Sequence, residues 1–136
     1  MILSANALTA INAAEKKAEE LGVTVTISVV DEHGVQVAAK RMDGALTISP
    51  KFAQAKAYTA ATLRAATSSL SAYATEGKPY FGLTSLFDGK LTVIAGGIPV
   101  FVGETVVGAV GVGGSADVSQ DEKCAQAAVD VLEAIK

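Results

Sequence analysis

The stretch LTVIAGGIPVFVGETVVGAVGVGG, from Leu91 to Gly114, decides the fold of this 136-residue chain. It consists of three short apolar runs, which are separated by Gly96-Gly97 and by Gly103-Glu104. Two-residue turns that contain glycine accept the positive φ angles of tight antiparallel connections. The pattern therefore predicts three antiparallel strands, over residues 91–95, 98–102 and 105–112.

The third of these runs carries Gly108 and Gly111, which remove side-chain bulk from the strand. Glycine inside a strand often marks a place where another backbone or a ligand comes close. We expect a helix, another subunit or a ligand to lie against the strand there.

The rest of the chain alternates between helical and strand patterns. Apolar residues at steps of three and four predict a first helix that ends at Gly22, and two-residue alternation predicts a hairpin with its turn at Asp31–Gly34. Further helices are predicted over 49–64, over 66–74 and from Ser119 onward. The order α-β-β-α-α-β-β-β-α predicts a single domain over 1–136 of the α+β class, with a five-stranded antiparallel sheet flanked by helices.

Composition and charge argue against two classes of function, nucleic-acid binding and membrane insertion. Half of the residues are apolar, the formal net charge is −3 and the basic residues are scattered, which argues against a nucleic-acid-binding surface. No run has the length of a membrane-spanning helix, and the first residues lack the basic region of a signal peptide, so we expect a cytoplasmic protein without a membrane partner. The high apolar content of so short a chain predicts a homo-oligomer.

Cysteine and histidine are each present once. Cys124 lies on the apolar stripe of the last predicted helix, where a buried thiol is expected, and a single cysteine excludes an internal disulfide or a CxxC metal site. We predict no metal site. His33 lies in the predicted hairpin turn, where it would ligate a haem iron, act as a base, or simply be exposed.

Candidate binding residues fall in three places. Lys56 is surrounded by small residues in a predicted helix, so it is either a buried cation or Schiff-base amine, or a lysine with its head in solvent. Arg41 and Asp43 follow the second strand and either pair on the surface or line a pocket. Gly96, Gly97, Ile98 and Pro99 either present backbone N–H groups to an anion or form a plain turn.

Several stretches, taken in order, resemble the GlcG/HbpS family. That family includes the haem-binding protein HbpS, the GlcG proteins of glycolate operons, and the C-terminal domain of PduO-type corrinoid adenosyltransferases. The matching pieces run almost the whole length of the chain: Val29-Val30-Asp31 with Gly34, Arg41-Met42-Asp43-Gly44-Ala45, Ala53-x-x-Lys56-Ala57-x-Thr59-Ala60, Gly96-Gly97-Ile98-Pro99, Gly108 to Gly114, and Asp121-Glu122.

The resemblance implies a five-stranded, somewhat profilin-like sheet and a homo-oligomer, often an octamer. It also implies haem or another tetrapyrrole as cofactor, for which His33 is the best candidate iron ligand. From the resemblance we further expect that Arg41, Asp43, Lys56 and the turn from Gly96 to Pro99 lie near one cavity, which binds a small anionic ligand. We therefore expect a cytoplasmic, oligomeric, small-ligand-binding protein. Two alternatives stay open: a small enzyme acting on an oxoacid or aldehyde, with Lys56 as cation or amine and Asp43 as acid or base, and an accessory protein of a glycolate, diol or glycerol utilisation operon.

Overall fold

The computed structural model describes residues 1–135 and alternates helices with strands in the order α-β-β-α-α-β-β-α. The helices are α1 (Ser4–Leu21), α2 (Ser49–Leu63), α3 (Thr67–Leu70) and α4 (Val118–Ala134), and the strands are β1 (Thr26–Asp31), β2 (Gln36–Arg41), β3 (Gly97–Val102) and β4 (Thr105–Gly113). Three short 3-10 turns lie between residues 71 and 89. None of the helices described combines the length and apolar character that a bilayer-crossing segment requires.

The four strands form one antiparallel sheet in the order β2-β1-β4-β3. The two central strands come from opposite ends of the chain, and Val29 of β1 faces Val110 of β4 across their shared ladder. Each outer strand joins its neighbour through a short hairpin, at Asp31–Gly34 and at Gly103-Glu104, as the sequence predicts. The sheet is therefore two hairpins that pair along β1 and β4.

Helices cover both faces of the sheet. On one face, α1 and α4 pack against each other and enclose the larger apolar core, which contains Ile27, Val29, Val110 and Val112 from the central strands. On the other face lies α2, whose alanines pack against Val30 and Ala109 in a smaller core. Successive side chains along β1 and β4 thus point into two different cores, and these strands are therefore buried on both faces.

The glycines of β4 allow α2 to lie directly on the sheet. A Cβ atom added at Gly111 would overlap the Ala53 carbonyl oxygen and the Ala57 backbone nitrogen, both in α2. Of the three partners expected at Gly111, the structure therefore shows a helix. Gly108 lies elsewhere: a Cβ there would meet the Val30 carbonyl oxygen of β1 and the Ile2 side chain.

The prediction of five strands is wrong, because residues 91–95 form no strand. Their backbone is held by side chains instead: Thr92 N–H donates to Thr59 Oγ1 of α2 at 3.0 Å, and Ile94 N–H donates to Thr92 Oγ1 at 3.2 Å. Gly96-Gly97 is accordingly not a hairpin turn, and Gly97 is the first residue of β3. The remaining class, α+β with an antiparallel sheet and flanking helices, is as predicted.

Cys124 is completely buried on the core-facing side of α4, as its position on the apolar stripe indicates. Burial raises the pKa of this thiol to about 11, because the thiolate would lose its hydration there. The cysteine therefore stays protonated near neutral pH and belongs to the core.

We predict that Gly111→Ala destabilises the fold by about 1–3 kcal/mol, since its methyl group would be forced into the backbone of α2. Urea unfolding followed by circular dichroism measures the free energy. Thr105→Ala, at the exposed start of the same strand, is the matched control and should change stability by less than about 0.5 kcal/mol. Equal stabilities of the two variants would contradict the close approach of α2.

Candidate functional site

A buried ion pair lies at the end of β4. The Lys56 side chain is 1% exposed, and its Nζ donates to the Val112 carbonyl oxygen at 2.9 Å and to Asp121 Oδ2 at 3.0 Å. Asp121 is also 1% exposed and lies in the first turn of α4. Because α2 and α4 cover opposite faces of the sheet, this pair connects the two helical layers around the strand end.

Local structure holds both charged groups in place. Gly96 is in the left-handed region at φ +129°, and a Cβ there would lie 2.9 Å from Lys56 Nζ and 2.6 Å from the Val112 carbonyl oxygen. The missing side chain therefore leaves room for the ammonium. On the other side, Asp121 Oδ1 accepts a hydrogen bond from the Ser115 backbone N–H at 3.0 Å, which fixes the carboxylate plane.

The capping of α4 supports this arrangement. Asp117 is the N-cap residue, and its carboxylate accepts hydrogen bonds from the Ser119 backbone N–H at 3.0 Å and from the Ser119 hydroxyl. These bonds lower the pKa of the Asp117 carboxyl. The helix therefore begins two residues after Ala116, and its fourth residue is Asp121.

Burial acts on both members of the ion pair. Loss of hydration lowers the pKa of Lys56 and raises the pKa of Asp121, and in each case the partner's charge and hydrogen bond oppose that shift. Each charge is thus tolerated inside the protein because the other is present. Removal of either one would leave an uncompensated buried charge.

The ion pair borders a cavity of about 470 Å³, here called the Lys56 cavity. This volume is within the range of small-molecule sites in proteins. Besides the charged pair, the cavity is lined by Leu46, Ile48, Phe52, Ile94 and Val118, by Ser49 and Thr24, by Gly44, and by Gly114, Ser115 and Ala116 before α4. Its walls are therefore mainly apolar around one polar end.

A second depression, here called the α2 cleft, follows the outer side of α2 and has two adjoining lobes. The first has a volume of about 530 Å³ and is lined by Gly34, Pro50, Lys51, Gln54, Ala55, Tyr58, Gly89 and Lys90. The second, of about 450 Å³, is lined by Ile48, Lys51, Phe52, Ala55, Thr84, Gly89 and residues 91–94. Lys51, Ala55 and Gly89 line both lobes, which places the two lobes side by side along α2.

The turn that carries His33 lies at one end of the α2 cleft. Asp31 Oδ1 accepts hydrogen bonds from the backbone N–H groups of His33, at 2.8 Å, and of Val35, at 3.0 Å, so the turn is well defined. The imidazole is 76% exposed and its Nε2 is 3.4 Å from Glu32 Oε1. Gly34 faces the Tyr58 ring, which a Cβ at residue 34 would overlap.

The structure brings only some of the predicted binding residues together. Lys56 is adjacent to Gly96 and to Gly97, whose added Cβ would overlap the Lys56 carbonyl oxygen. Ile98 and Pro99 lie farther along β3, in a surface depression that they share with residues from α4.

Arg41 and Asp43 lie apart from the Lys56 cavity. Arg41 is exposed at the last residue of the outer strand β2. Asp43 lines a small polar depression with Glu15 and Lys40, where the Lys40 ammonium pairs with the Glu15 carboxylate at 2.8 Å. The structure thus separates the candidate residues into at least two regions, and whether any of them binds a ligand stays a prediction.

Three residues that matter in this geometry did not emerge as binding candidates from the sequence. Asp121 is the partner of Lys56, although 65 positions separate them. Lys51 and Lys90 line the α2 cleft. The sequence contains one signal for Asp121, which is the position of Lys56 on the alanine-rich face of a helix. A lysine buried there requires an acidic partner. The sequence does not indicate which of the acidic residues is that partner.

Among residues 1–135, no three side chains of His, Cys, Asp or Glu are grouped in a way that would hold a metal ion. The polar chemistry available is therefore that of the Lys56–Asp121 pair, the lysines of the α2 cleft and the His33 imidazole.

We predict that Lys56→Met lowers the free energy of unfolding by about 3–5 kcal/mol, because it leaves the Asp121 carboxylate buried without a counter-charge. The double variant Lys56→Met/Asp121→Asn should recover most of this loss, since the amide still accepts from the Ser115 N–H. Urea unfolding of the wild type, the single and the double variant provides the comparison. A double variant no more stable than the single one would contradict the pairing.

The pH dependence of Lys56→Met is a further part of this prediction. Without the lysine, the folded-state pKa of Asp121 lies further above its unfolded value, so the folded protein takes up a proton first. The stability of Lys56→Met should therefore rise as the pH falls through the folded-state pKa of Asp121, and level off below the unfolded-state pKa. The wild type should show a smaller rise, which begins at a lower pH, because the charge and hydrogen bond of Lys56 oppose the upward shift of the Asp121 pKa.

Comparison with known proteins identifies the family. A family model described as "Haem degrading protein HbpS-like" matches residues 2–130. The corrinoid adenosyltransferase PduO of Salmonella typhimurium is 36% identical over 120 residues, which are 88% of this chain and 35% of PduO. The chain thus spans about a third of the length of that relative.

Two solved structures are similar over nearly the whole chain. The crystal structure of the Klebsiella pneumoniae protein ORFY superposes with a TM-score of 0.94 at 36% identity, covering 99% of this chain and 92% of ORFY. A structure described as a PduOC:heme complex superposes with a TM-score of 0.89 at 34% identity, covering 96% of this chain and 95% of the other. The resemblance seen in the sequence is confirmed, and the chain belongs to the HbpS-like family.

Proposed function

We propose that this chain is a haem-binding protein and that the α2 cleft holds the haem. The observation that carries the proposal is the combination found in that cleft: an apolar floor along α2, two lysines at its edge, and a turn with a histidine at one end. A flat, apolar macrocycle with two carboxylates and an iron atom requires these three kinds of partner.

The lysines fit the anionic part of the ligand. Lys51 and Lys90 are both exposed and both line the first lobe, so their ammonium groups are free to reach carboxylates at the cleft edge. Charge-assisted hydrogen bonds of this kind are stronger than neutral ones. The residues for which the sequence predicts a small anionic ligand do not line this cleft, so the proposal assigns the anionic groups, as haem propionates, to Lys51 and Lys90 instead. Lys56, in contrast, already shares its charge with Asp121.

The donor set also fits the iron. His33 is the residue directly before Gly34, a lining residue of the first lobe, and Tyr58 lines the same lobe. Imidazole and phenolate are both found as axial ligands of haem iron in proteins. Bound haem would supply the iron's redox and ligand-binding chemistry, while the chain itself binds and orients the macrocycle and shields one side of it from water.

The comparisons support the same class of ligand. The family description speaks of haem degradation, and the PduOC structure is described as a complex with heme. Those words apply to the relatives, and we extend haem binding to this chain on the basis of its own cleft. A cytoplasmic location is part of the proposal and suits a chain whose one cysteine is a free, buried thiol.

A second candidate function is enzymatic, on a small oxoacid or aldehyde, and the Lys56 cavity is the observation that favours it. Within that cavity, Lys56 is paired with Asp121 and 1% exposed, so it would first have to leave the carboxylate before it could form a Schiff base. A third, an accessory role beside an enzyme of glycolate, diol or glycerol utilisation, is supported by the match to one part of PduO.

Haem titration followed at the Soret band tests the main proposal. We expect the absorbance of the wild type to reach a plateau as haem is added, which is the sign of saturable binding. His33→Ala should weaken binding by at least about ten-fold if the imidazole ligates the iron, and should alter the absorption spectrum of the bound haem. Weak, non-saturating absorbance that is equal in both proteins would mean that haem only adsorbs, and would contradict the proposal.

Lysine variants locate the site within the fold. Lys51→Met should weaken haem binding by about ten-fold through loss of a propionate partner. Lys16→Met removes an exposed lysine from α1, on the opposite face of the sheet, and serves as the matched control with unchanged affinity. Equal loss in both variants would point to general charge attraction and away from the α2 cleft.

We also propose that the chain forms a homo-oligomer, for which the resembling family suggests an octamer. Support comes from large apolar side chains that are exposed in the single chain, most clearly in the segment around the 3-10 turns, where Phe81 is 61% and Phe87 66% exposed. Apolar surface of this kind is typical of subunit contacts.

Light scattering at micromolar concentration should accordingly show an even-numbered assembly of the 13.7 kDa chain. Phe87→Ser should shift the assembly towards smaller species, because it removes apolar contact area without touching either core. A wild type that elutes and scatters as a clean monomer would contradict the proposal.

A further inference from the structure

The Lys56 cavity adjoins the α2 cleft but has its own polar end. Ile48, Phe52 and Ile94 form walls of both, whereas the charged pair and Val118 line the Lys56 cavity and not the cleft. The cavity therefore offers a chemistry that the proposed haem site does not use. Its two charged side chains are also the most deeply buried ionic groups described in the molecule.

The charge of the cavity is balanced internally. Lys56 and Asp121 are the charged residues that line it, and they lie 3.0 Å apart, so a guest meets an ion pair with no net charge. An anion would gain from the ammonium but would also face the carboxylate, and it would lose its hydration among apolar walls. The cavity is thus suited to an uncharged guest.

Unused hydrogen-bonding capacity remains on both members of the pair. An ammonium has three N–H donors, and the bonds to Val112 O and Asp121 Oδ2 account for two of them. Each carboxylate oxygen of Asp121 accepts one bond, from Lys56 and from the Ser115 N–H, although each has two lone pairs. By this count, one N–H donor of Lys56 and at least one acceptor site of Asp121 are left without a partner, on two side chains that line the cavity.

Burial of an ion pair costs desolvation free energy, which makes it an unusual element for a purely structural role. Well-packed apolar residues at such positions are often at least as stabilising as a buried ion pair. Ionic groups buried next to a cavity are more typical of functional sites. The Phe52 ring, whose centroid lies 5.9 Å from Lys56 Nζ, adds an aromatic surface beside the charge.

We propose that the Lys56 cavity is a second binding site, which takes an uncharged small molecule that carries a hydrogen-bond acceptor such as a carbonyl next to a hydroxyl group, together with an apolar substituent. The acceptor bonds to the third N–H of Lys56, the hydroxyl donates to Asp121, and the substituent lies against Phe52, Ile94 and Val118. This site is independent of haem binding in the α2 cleft.

The experiment uses α-hydroxyacetophenone as probe, with binding measured by isothermal titration calorimetry and by saturation-transfer NMR on the full chain. We expect saturable binding to the wild type. Phenylglyoxylate, which keeps the ring and the ketone but carries a carboxylate in place of the hydroxymethyl group, should bind at least about ten-fold more weakly.

Two variants test the location of the site. Lys56→Met/Asp121→Asn should bind the probe at least about ten-fold more weakly, because the ammonium donor is lost. Val118→Trp leaves the ion pair intact and fills the cavity from its exposed wall, so it should also abolish binding and keeps the test valid if the double variant does not fold. Lys16→Met, at an exposed position of α1 that lines neither the Lys56 cavity nor the α2 cleft, is the control and should bind the probe like the wild type.

The possible results of these experiments either support the second site or contradict it. Loss of binding in both cavity variants, with Lys16→Met unchanged, supports the site. Absence of saturable binding to the wild type, equal affinity of the cavity variants, or tighter binding of phenylglyoxylate than of the hydroxyketone would overturn it. None of these results depends on the haem titration, so the two proposals fail or hold separately.

Discussion

The close contact between α2 and the central strand β4 is the constraint on which the rest of the structure depends. Gly111 leaves no side chain between the two backbones, and Gly97 and Gly113 do the same beside it, facing Lys56 and Phe52 of the helix. With the helix at this distance, Lys56 reaches the strand end and meets Asp121. The outer side of the same helix forms the floor of the α2 cleft, so one backbone contact positions both proposed sites.

The sequence predicts the parts of the fold that rest on local patterns. The first helix, the hairpin turn at Asp31–Gly34 and the Gly103-Glu104 turn follow from periodicity and from glycine chemistry, and the structure contains all three. Residues 91–95 look like a strand because they are apolar and end in glycines, yet their hydrogen bonds go to threonine side chains. Apolar content alone does not distinguish a strand from an irregular segment, and of residues 91–95 only Leu91 is buried.

The candidate site is less accessible to sequence reasoning, because it depends on contacts between distant elements. The small residues around Lys56 leave open whether its ammonium is buried or in solvent. The partner that settles its burial lies on another helix, on the opposite face of the sheet. Arg41 and Asp43 are expected near the same cavity as Lys56, yet neither lines the Lys56 cavity, and Asp43 lines a separate depression with Glu15 and Lys40. The topology that brings β4 beside β1 decides these distances, and local propensity does not contain it.

The pairing of β1 with β4 also affects how the chain is made. Thr26 faces Gly113, so the middle of the sheet joins segments almost ninety residues apart, and α1 obtains its partner α4 only after that. A chain emerging from the ribosome keeps its N-terminal hairpin without a neighbour until the C-terminal hairpin has been synthesised. During that interval, the apolar strand β1 is exposed on one edge, which makes the nascent protein dependent on rapid completion or on a chaperone to avoid aggregation.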